Sequence, residues 1–210
     1  MAARVSATVS RPGLPRANRV AHLCDLATLA VLLVLAAVLT AAMVLQYGHG
    51  EIPCPLCLLQ RVALFAVCFG LMRHFREGDR GRGVGLALVA AVFLLLVSAR
   101  QTLIDICPRP GHDYVGSAIL SLHMPVWSVL VALGVILALS MQIAVVGEAR
   151  QSSVPSARVV TVSRWAGLYV CALCAINLVS AVLQCGLGAC ATDGYSLLSS
   201  ASTWTLLLST

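Results

Sequence analysis

Five apolar runs, at residues 26–45, 58–72, 84–104, 126–146 and 166–183, constrain this chain more than any other feature of its sequence. A helix needs roughly 20 mainly apolar residues to cross the hydrocarbon core of a bilayer. Each crossing segment must also satisfy its own backbone polar groups. The second run is shorter than the others, but Cys54, Cys57, Gln60 and Arg61 precede or open it and extend it towards the interface. The pattern predicts an all-α integral membrane protein, with a four-helix transmembrane bundle over residues 26–146 and a fifth transmembrane helix over 165–185.

Composition agrees with this reading and sets the topology. The chain is 60% hydrophobic and only 10% charged, far from the balance of a soluble domain. Its formal charge of +6 comes from arginine alone, since the 14 basic residues include no lysine. The arginines gather in short segments instead of forming a stripe interleaved with aromatics, so a nucleic-acid surface is a poor fit. Arg4, Arg11, Arg16 and Arg19 precede the first run. Arg73, Arg76, Arg80 and Arg82 lie between the second and third, and Arg150, Arg158 and Arg164 between the fourth and fifth. Positively charged loops stay inside, so the tail 1–25 and the linker 147–164 are expected to be cytoplasmic. The loop before Cys54, the loop 105–125 and the tail 186–210 then face the periplasm or the cell exterior. The first run is longer than the roughly 7–15 residues of a signal-peptide core, and no small-residue cleavage site follows it, so it is read as a retained helix. The protein is accordingly expected to cross its membrane several times, with the N-terminus on the cytoplasmic side. Residues 196–210 are mildly apolar but too few to span it.

The stretch CPLCLLQR, residues 54–61, carries the chemistry. Proline suits the first position of a helix, where its missing N–H would be unpaired anyway. Pro55 therefore starts the second helix, with Cys54 as its N-cap and Cys57 in the first turn. Three residues apart on a helix, the two cysteines are within disulfide reach. The unpaired N–H groups and dipole of a helix N-terminus favour a thiolate. Arg61 follows Cys57 by four residues, on the same face and one turn, about 6 Å, deeper. A cation inside the bilayer costs on the order of 2.5–3.5 kcal/mol at the centre and less near the interface, and usually marks function. The alternative is an arginine that snorkels to the headgroups.

CPLC with Gln60 and Arg61 at this position resembles the DsbB family of disulfide bond formation proteins. Arg100–Gln101, the stretch 116–123 and Pro125-Val-Trp127 look like that family's third and fourth helices, so the resemblance covers roughly residues 24–146. It implies a quinone-dependent thiol oxidase that reoxidises a periplasmic thioredoxin-like dithiol oxidase of the DsbA type and passes two electrons to a membrane quinone, ubiquinone or menaquinone. Cys54 and Cys57 would be the quinone-linked pair. Arg61, with Gln60, would stabilise the reduced quinone, and Arg100 would either approach its headgroup or pair with Asp105.

The chain departs from the family in its second outer loop, where a typical member carries a cysteine pair and this one has Cys107 alone. Cys185 and Cys190 follow the fifth run on the same expected side. They are candidates to replace the missing pair as the entry point for electrons, with a structural staple for the tail as the alternative. Cys107 is a candidate attacking thiol, a partner for either tail cysteine, or a leftover. Cys171 and Cys174 also spell CxxC, but they lie within an apolar run and are expected to pack and stay inert. Cys24 and Cys68 read as helix residues, and His49, His112 and His123 as solvated or interfacial. Two other functions compete: a redox protein resembling the vitamin K epoxide reductase family, whose quinone-side CxxC comes late in the bundle, and a non-catalytic scaffold or transporter subunit with structural disulfides.

Overall fold

The computed structural model describes residues 15–50, 52–75, 80–106, 118–119, 122–146 and 155–186. Its helices are α1 (Pro15–Gly48), α2 (Pro55–His74), α3 (Arg80–Ile106), α4 (Met124–Val146) and α5 (Ala157–Cys185). All five are long and apolar enough to cross a membrane. Two two-residue strands, β1 (Ala118–Ile119) and β2 (Leu122–His123), pair antiparallel just before α4 and leave the all-α class unchanged.

Neighbour contacts run α1–α2–α3–α4 and close through α1 against α4, while α5 lies against α1 and α2. The centre is filled at helical spacing by Leu32, Leu35 and Leu39 of α1, Val67, Cys68 and Leu71 of α2, Ala87, Ala91 and Leu94 of α3, and Ala132 and Leu139 of α4. Outward positions are apolar as well. Val89, Leu96, Leu103, Leu137 and Leu178 are all more than 60% exposed, a surface that water would penalise and lipid does not.

With lipid outside, the hydrophobic effect does little to hold helices together, so close packing and interhelical hydrogen bonds must. The tightest approach is α2 on α3. A Cβ added at Gly70 would lie 2.5 Å from the Ala87 nitrogen, and one at Gly83 would lie 2.6 Å from the His74 nitrogen. Near the end of α2 opposite Cys54, His74 Nε2 and Asp25 Oδ1 meet at 3.1 Å in a fully buried pair, and Thr28 Oγ1 donates to Gln142 Oε1 at 3.0 Å. Asp25 and His74 are separated by 49 positions, and only the folded bundle brings them together.

Two helices are longer than their apolar runs suggest. α5 begins at Ala157, within the stretch read as linker, because the Ser156 hydroxyl caps it by accepting from the Val159 N–H at 3.4 Å and no breaker follows. α1 continues to Gly48, and the chain turns at Gly50, whose φ of 71° favours glycine.

Candidate redox site at the head of α2

Cys54 is the N-cap of α2 and Pro55 its first residue. The Cys54 backbone is extended, and its Sγ accepts from the Cys57 N–H at 3.1 Å, one of the N–H groups that no helical carbonyl can reach. Its thiol is held above the ordinary range, chiefly by the hydrogen bond it shares with the Cys57 side chain and then by burial. Two thiolates in contact would repel one another, so the pair is suited to carrying a single negative charge.

The side-chain amide of Gln101, from α3, reaches both sulfurs. Its Nε2 lies 3.5 Å from Cys54 Sγ and 3.6 Å from Cys57 Sγ. The orientation of this amide is fixed from behind: Gln60 Nε2 donates to Gln101 Oε1 at 2.9 Å, and Ser128 Oγ of α4 donates to Gln60 Oε1 at 3.3 Å. Hydrogen-bond donors thus run from α4 through α2 and α3 and end on the dithiol.

Arg61 is buried rather than snorkelling, at 8% exposure. One terminal nitrogen, Nη1, donates to Gln46 Oε1 of α1 and, at 3.3 Å, to Asn177 Oδ1 of α5, while Nη2 donates to the Ala42 carbonyl at 3.0 Å. Such acceptors compensate a guanidinium for the water it has lost.

α5 is seated by a polar seam at this end of the bundle. Thr40 Oγ1 and Tyr169 Oη are 2.7 Å apart, Tyr47 Oη is hydrogen-bonded to Ser180 Oγ, and Gln184 Nε2 donates at 2.8 Å to the carbonyl of Pro53, the residue before Cys54. The sequence reading missed Gln101 as a sulfur contact and overlooked Gln46, Ser128, Asn177 and Gln184 altogether. A signal was present, because Asn177, Ser180 and Gln184 recur at intervals of three and four in an otherwise apolar helix and so share one face.

The other candidates distribute as follows. Cys54, Cys57, Gln60 and Arg61 come together. Arg100, expected either at a quinone headgroup or paired with Asp105, is exposed, and the polar contact with the sulfurs falls to the next residue because successive helix positions point about 100° apart. Cys185 ends α5 and is disulfide-bonded to a partner outside the described residues. Cys107, Cys190 and His112 lie outside them too, as does the side chain of Asp105. His49 is exposed and His123 half-buried. Cys171 and Cys174, expected to pack, are both exposed. α5 buries a narrow stripe that includes Val170, Leu173 and Asn177, and each cysteine sits one residue past a buried position.

The family model for disulfide bond formation protein DsbB matches residues 25–113. Among curated relatives, a disulfide bond formation protein B of Chromohalobacter salexigens is 38% identical over 112 residues, 47% of this chain and 62% of that protein. One of an Azoarcus species is 36% identical over 97 residues, 41% of this chain and 58% of that protein. One of an Acidovorax species is 37% identical over 87 residues, 38% of this chain and 50% of that protein. The chain therefore spans at most about three-fifths of the length of these relatives. No solved structure matches it. The matched region contains α2, both site cysteines, Arg61 and Gln101, and over it this multi-pass helical membrane protein is similar to the DsbB family.

Proposed function

We propose that the protein is a quinone-reducing thiol oxidase that reoxidises a periplasmic, thioredoxin-like dithiol oxidase of the DsbA type and so supports disulfide formation. The observation that carries this reading is the convergence on one dithiol of a helix N-terminus, the Gln101 amide and, one turn below Cys57, a buried arginine. A bare structural disulfide requires none of these.

The donor set suits a quinone, whose carbonyl oxygens accept hydrogen bonds and gain negative charge on reduction. Arg61 supplies a cation shielded from water. Ser98, one turn from Gln101 on α3, has a buried hydroxyl with no hydrogen-bond partner among the described residues. Arg61, Gln101 and Ser98 are the residues we assign to hold such a group. A bound quinone supplies an acceptor for two electrons and two protons. The protein's own part is to close Cys54 and Cys57 into a disulfide, giving up two electrons and two protons. Gln101 steadies the thiolate that begins this step, and Arg61 neutralises charge that develops beside it. Arg100, exposed on α3, is assigned to the rim of the site.

The distribution of arginines supports an inner-membrane topology with the Cys54 end facing the periplasm. Electron entry is assigned to Cys185 and Cys190. Gln184 ties the end of α5 to the residue before Cys54, so a disulfide at Cys185 lies at the same end of the bundle as the dithiol. A partner's thiolate would attack that disulfide to form a mixed disulfide, the partner's second thiolate would resolve it and leave Cys185 and Cys190 as thiols, and their exchange with the Cys54–Cys57 disulfide would reduce that pair and re-form their own. Cys107 is the competing entry site.

The test is quinone reduction by the purified protein in lipid, driven by a reduced thioredoxin-like dithiol protein. One quinone reduced per dithiol oxidised is expected with either a ubiquinone or a menaquinone analogue. Absence of quinone reduction by protein with both Cys54 and Cys57 intact would overturn the reading. For the entry step, replacing Cys185 or Cys190 singly should trap a covalent complex with a partner lacking its resolving cysteine. Trapping that depends on Cys107 and survives loss of both tail cysteines would move the entry site to the second outer loop.

A further inference from the structure

A second helix that reaches Arg61 is α5, through Asn177, and it lies outside the residues matched by the family model. We propose that α5 belongs to the redox site: Asn177 is a positioning residue that holds the Arg61 guanidinium beneath Cys57 and thereby sets how strongly the reduced Cys54–Cys57 pair is stabilised. The proposal rests on the reading of that pair as the working dithiol.

A guanidinium is a rigid planar fork, so its acceptors dictate its plane. Gln46 and the Ala42 carbonyl, which accept from the fork, both belong to α1. Asn177, itself 4% exposed, adds an acceptor from another helix and so constrains the plane further. Nor is α5 free to drift. Thr40 with Tyr169, Tyr47 with Ser180 and Gln184 with the Pro53 carbonyl fasten it to α1 and to the segment entering α2. The buried positions of α5 are polar towards the Cys54 end, at Asn177, Ser180 and Gln184. Further from it, the buried residues nearest Asn177 are Leu173 and Val170. A helix that merely thickened the bundle would gain nothing from a buried asparagine aimed at the arginine, since interhelical packing needs only small or apolar side chains.

The consequence concerns the dithiol equilibrium. Anything that stabilises the reduced form makes a disulfide a stronger oxidant. With Arg61 held beneath the pair, the thiolate is favoured. With the fork released, that stabilisation falls and the disulfide becomes harder to reduce.

The experiment measures the redox equilibrium of Cys54 and Cys57 in the full chain, purified into quinone-free lipid nanodiscs. The protein is equilibrated against glutathione buffers and acid-quenched, and the peptide carrying the pair is resolved by mass after alkylation. Asn177→Leu should shift the equilibrium constant towards the disulfide about tenfold, or about 30 mV for a two-electron couple. In an Arg61→Met background the same substitution should shift it less than about twofold, because groups that act through one another are not additive. Asn177→Asp preserves side-chain volume and the hydrogen bond while cancelling the arginine's charge, and should shift the equilibrium at least as far in the same direction. This variant decides the matter if Asn177→Leu does not accumulate. An equal shift by Asn177→Leu in both backgrounds, or an unmoved equilibrium with Asn177→Asp, would overturn the proposal. Because the measurement contains neither quinone nor partner protein, an unmoved equilibrium leaves the oxidase reading standing. Failure of quinone reduction leaves the Asn177–Arg61 coupling standing.

Discussion

The chain contains the motif CxxC twice, as CPLC at residues 54–57 and as CALC at 171–174, and the structure treats the two in opposite ways. Cys54 and Cys57 straddle a helix start, are only half-exposed, and face a glutamine amide from another helix. Cys171 and Cys174 lie mid-helix, exposed towards the surrounding lipid. Spacing does not separate them, since both pairs sit three apart on a helix. The helix terminus does. At the head of α2 the Cys57 N–H has no carbonyl to bond and turns to sulfur, whereas mid-helix N–H groups are committed to carbonyls one turn back. Neither Arg61 nor Gln101 has a counterpart beside the second pair among the contacts of α5.

This contrast can be broken most directly at the sulfurs. Cys54→Ser or Cys57→Ser should abolish quinone reduction driven by a reduced thioredoxin-like protein, measured by quinone absorbance at matched protein levels. A variant that kept normal turnover would show that the head of α2 is not the working site.

Arg61 comes next. Arg61→Ala should slow quinone reduction by about a hundredfold, and Arg61→Lys by less, because lysine keeps the charge but loses the fork. Titration with a quinone analogue would report both apparent affinity and maximal rate. Identical curves for wild type and Arg61→Ala would reduce this residue to a structural one.

Gln101→Leu removes the amide that reaches both sulfurs. A hydrogen bond to a charged group is worth about 1.5–3 kcal/mol, so alkylation of the dithiol by iodoacetamide at neutral pH should slow by about tenfold or more. An unchanged alkylation rate would mean that the helix terminus suffices without α3.

The smallest effect is expected at the second motif. Cys171→Ser together with Cys174→Ser should leave quinone reduction within about twofold of wild type, since exposed thiols without a stabilising partner contribute little to reactivity. Loss equal to that of Cys54→Ser would erase the distinction between the two motifs.

A packing contrast accompanies the chemical one. α2 is pressed onto α3 through Gly70, where an added Cβ meets Ala87 backbone at 2.5 Å, and the first motif therefore has a firm seat. Gly167 of α5 would instead meet the flexible end of Met72 at 2.6 Å, which can swing aside. Gly70→Val should cost about 1–3 kcal/mol, typical of overpacking, and Gly167→Ala much less. Thermal unfolding in detergent would compare them.

Much of this protein could be read from its sequence because a bilayer leaves a chain few choices. Twenty apolar residues without water must form a helix, so five runs gave five helices, and Pro55 after Cys54 marked a helix start with a sulfur at its cap. Arg61 was visible for a related reason, as a cation in an apolar run one turn from a cysteine. These are local properties, decided by residues within one turn of each other. The rest depended on which faces met. Sequence periodicity could not say that Gln101 rather than Arg100 faces the sulfurs, since that depends on the rotation of α3 about its axis. Nor could it say that Cys171 and Cys174 turn outwards while Asn177 turns in, or that Asp25 finds His74. Those outcomes follow from the close seating of α2 on α3 and the polar seam that holds α5 against α1. In lipid, where outward and inward faces are equally apolar, only the packed bundle distinguishes them.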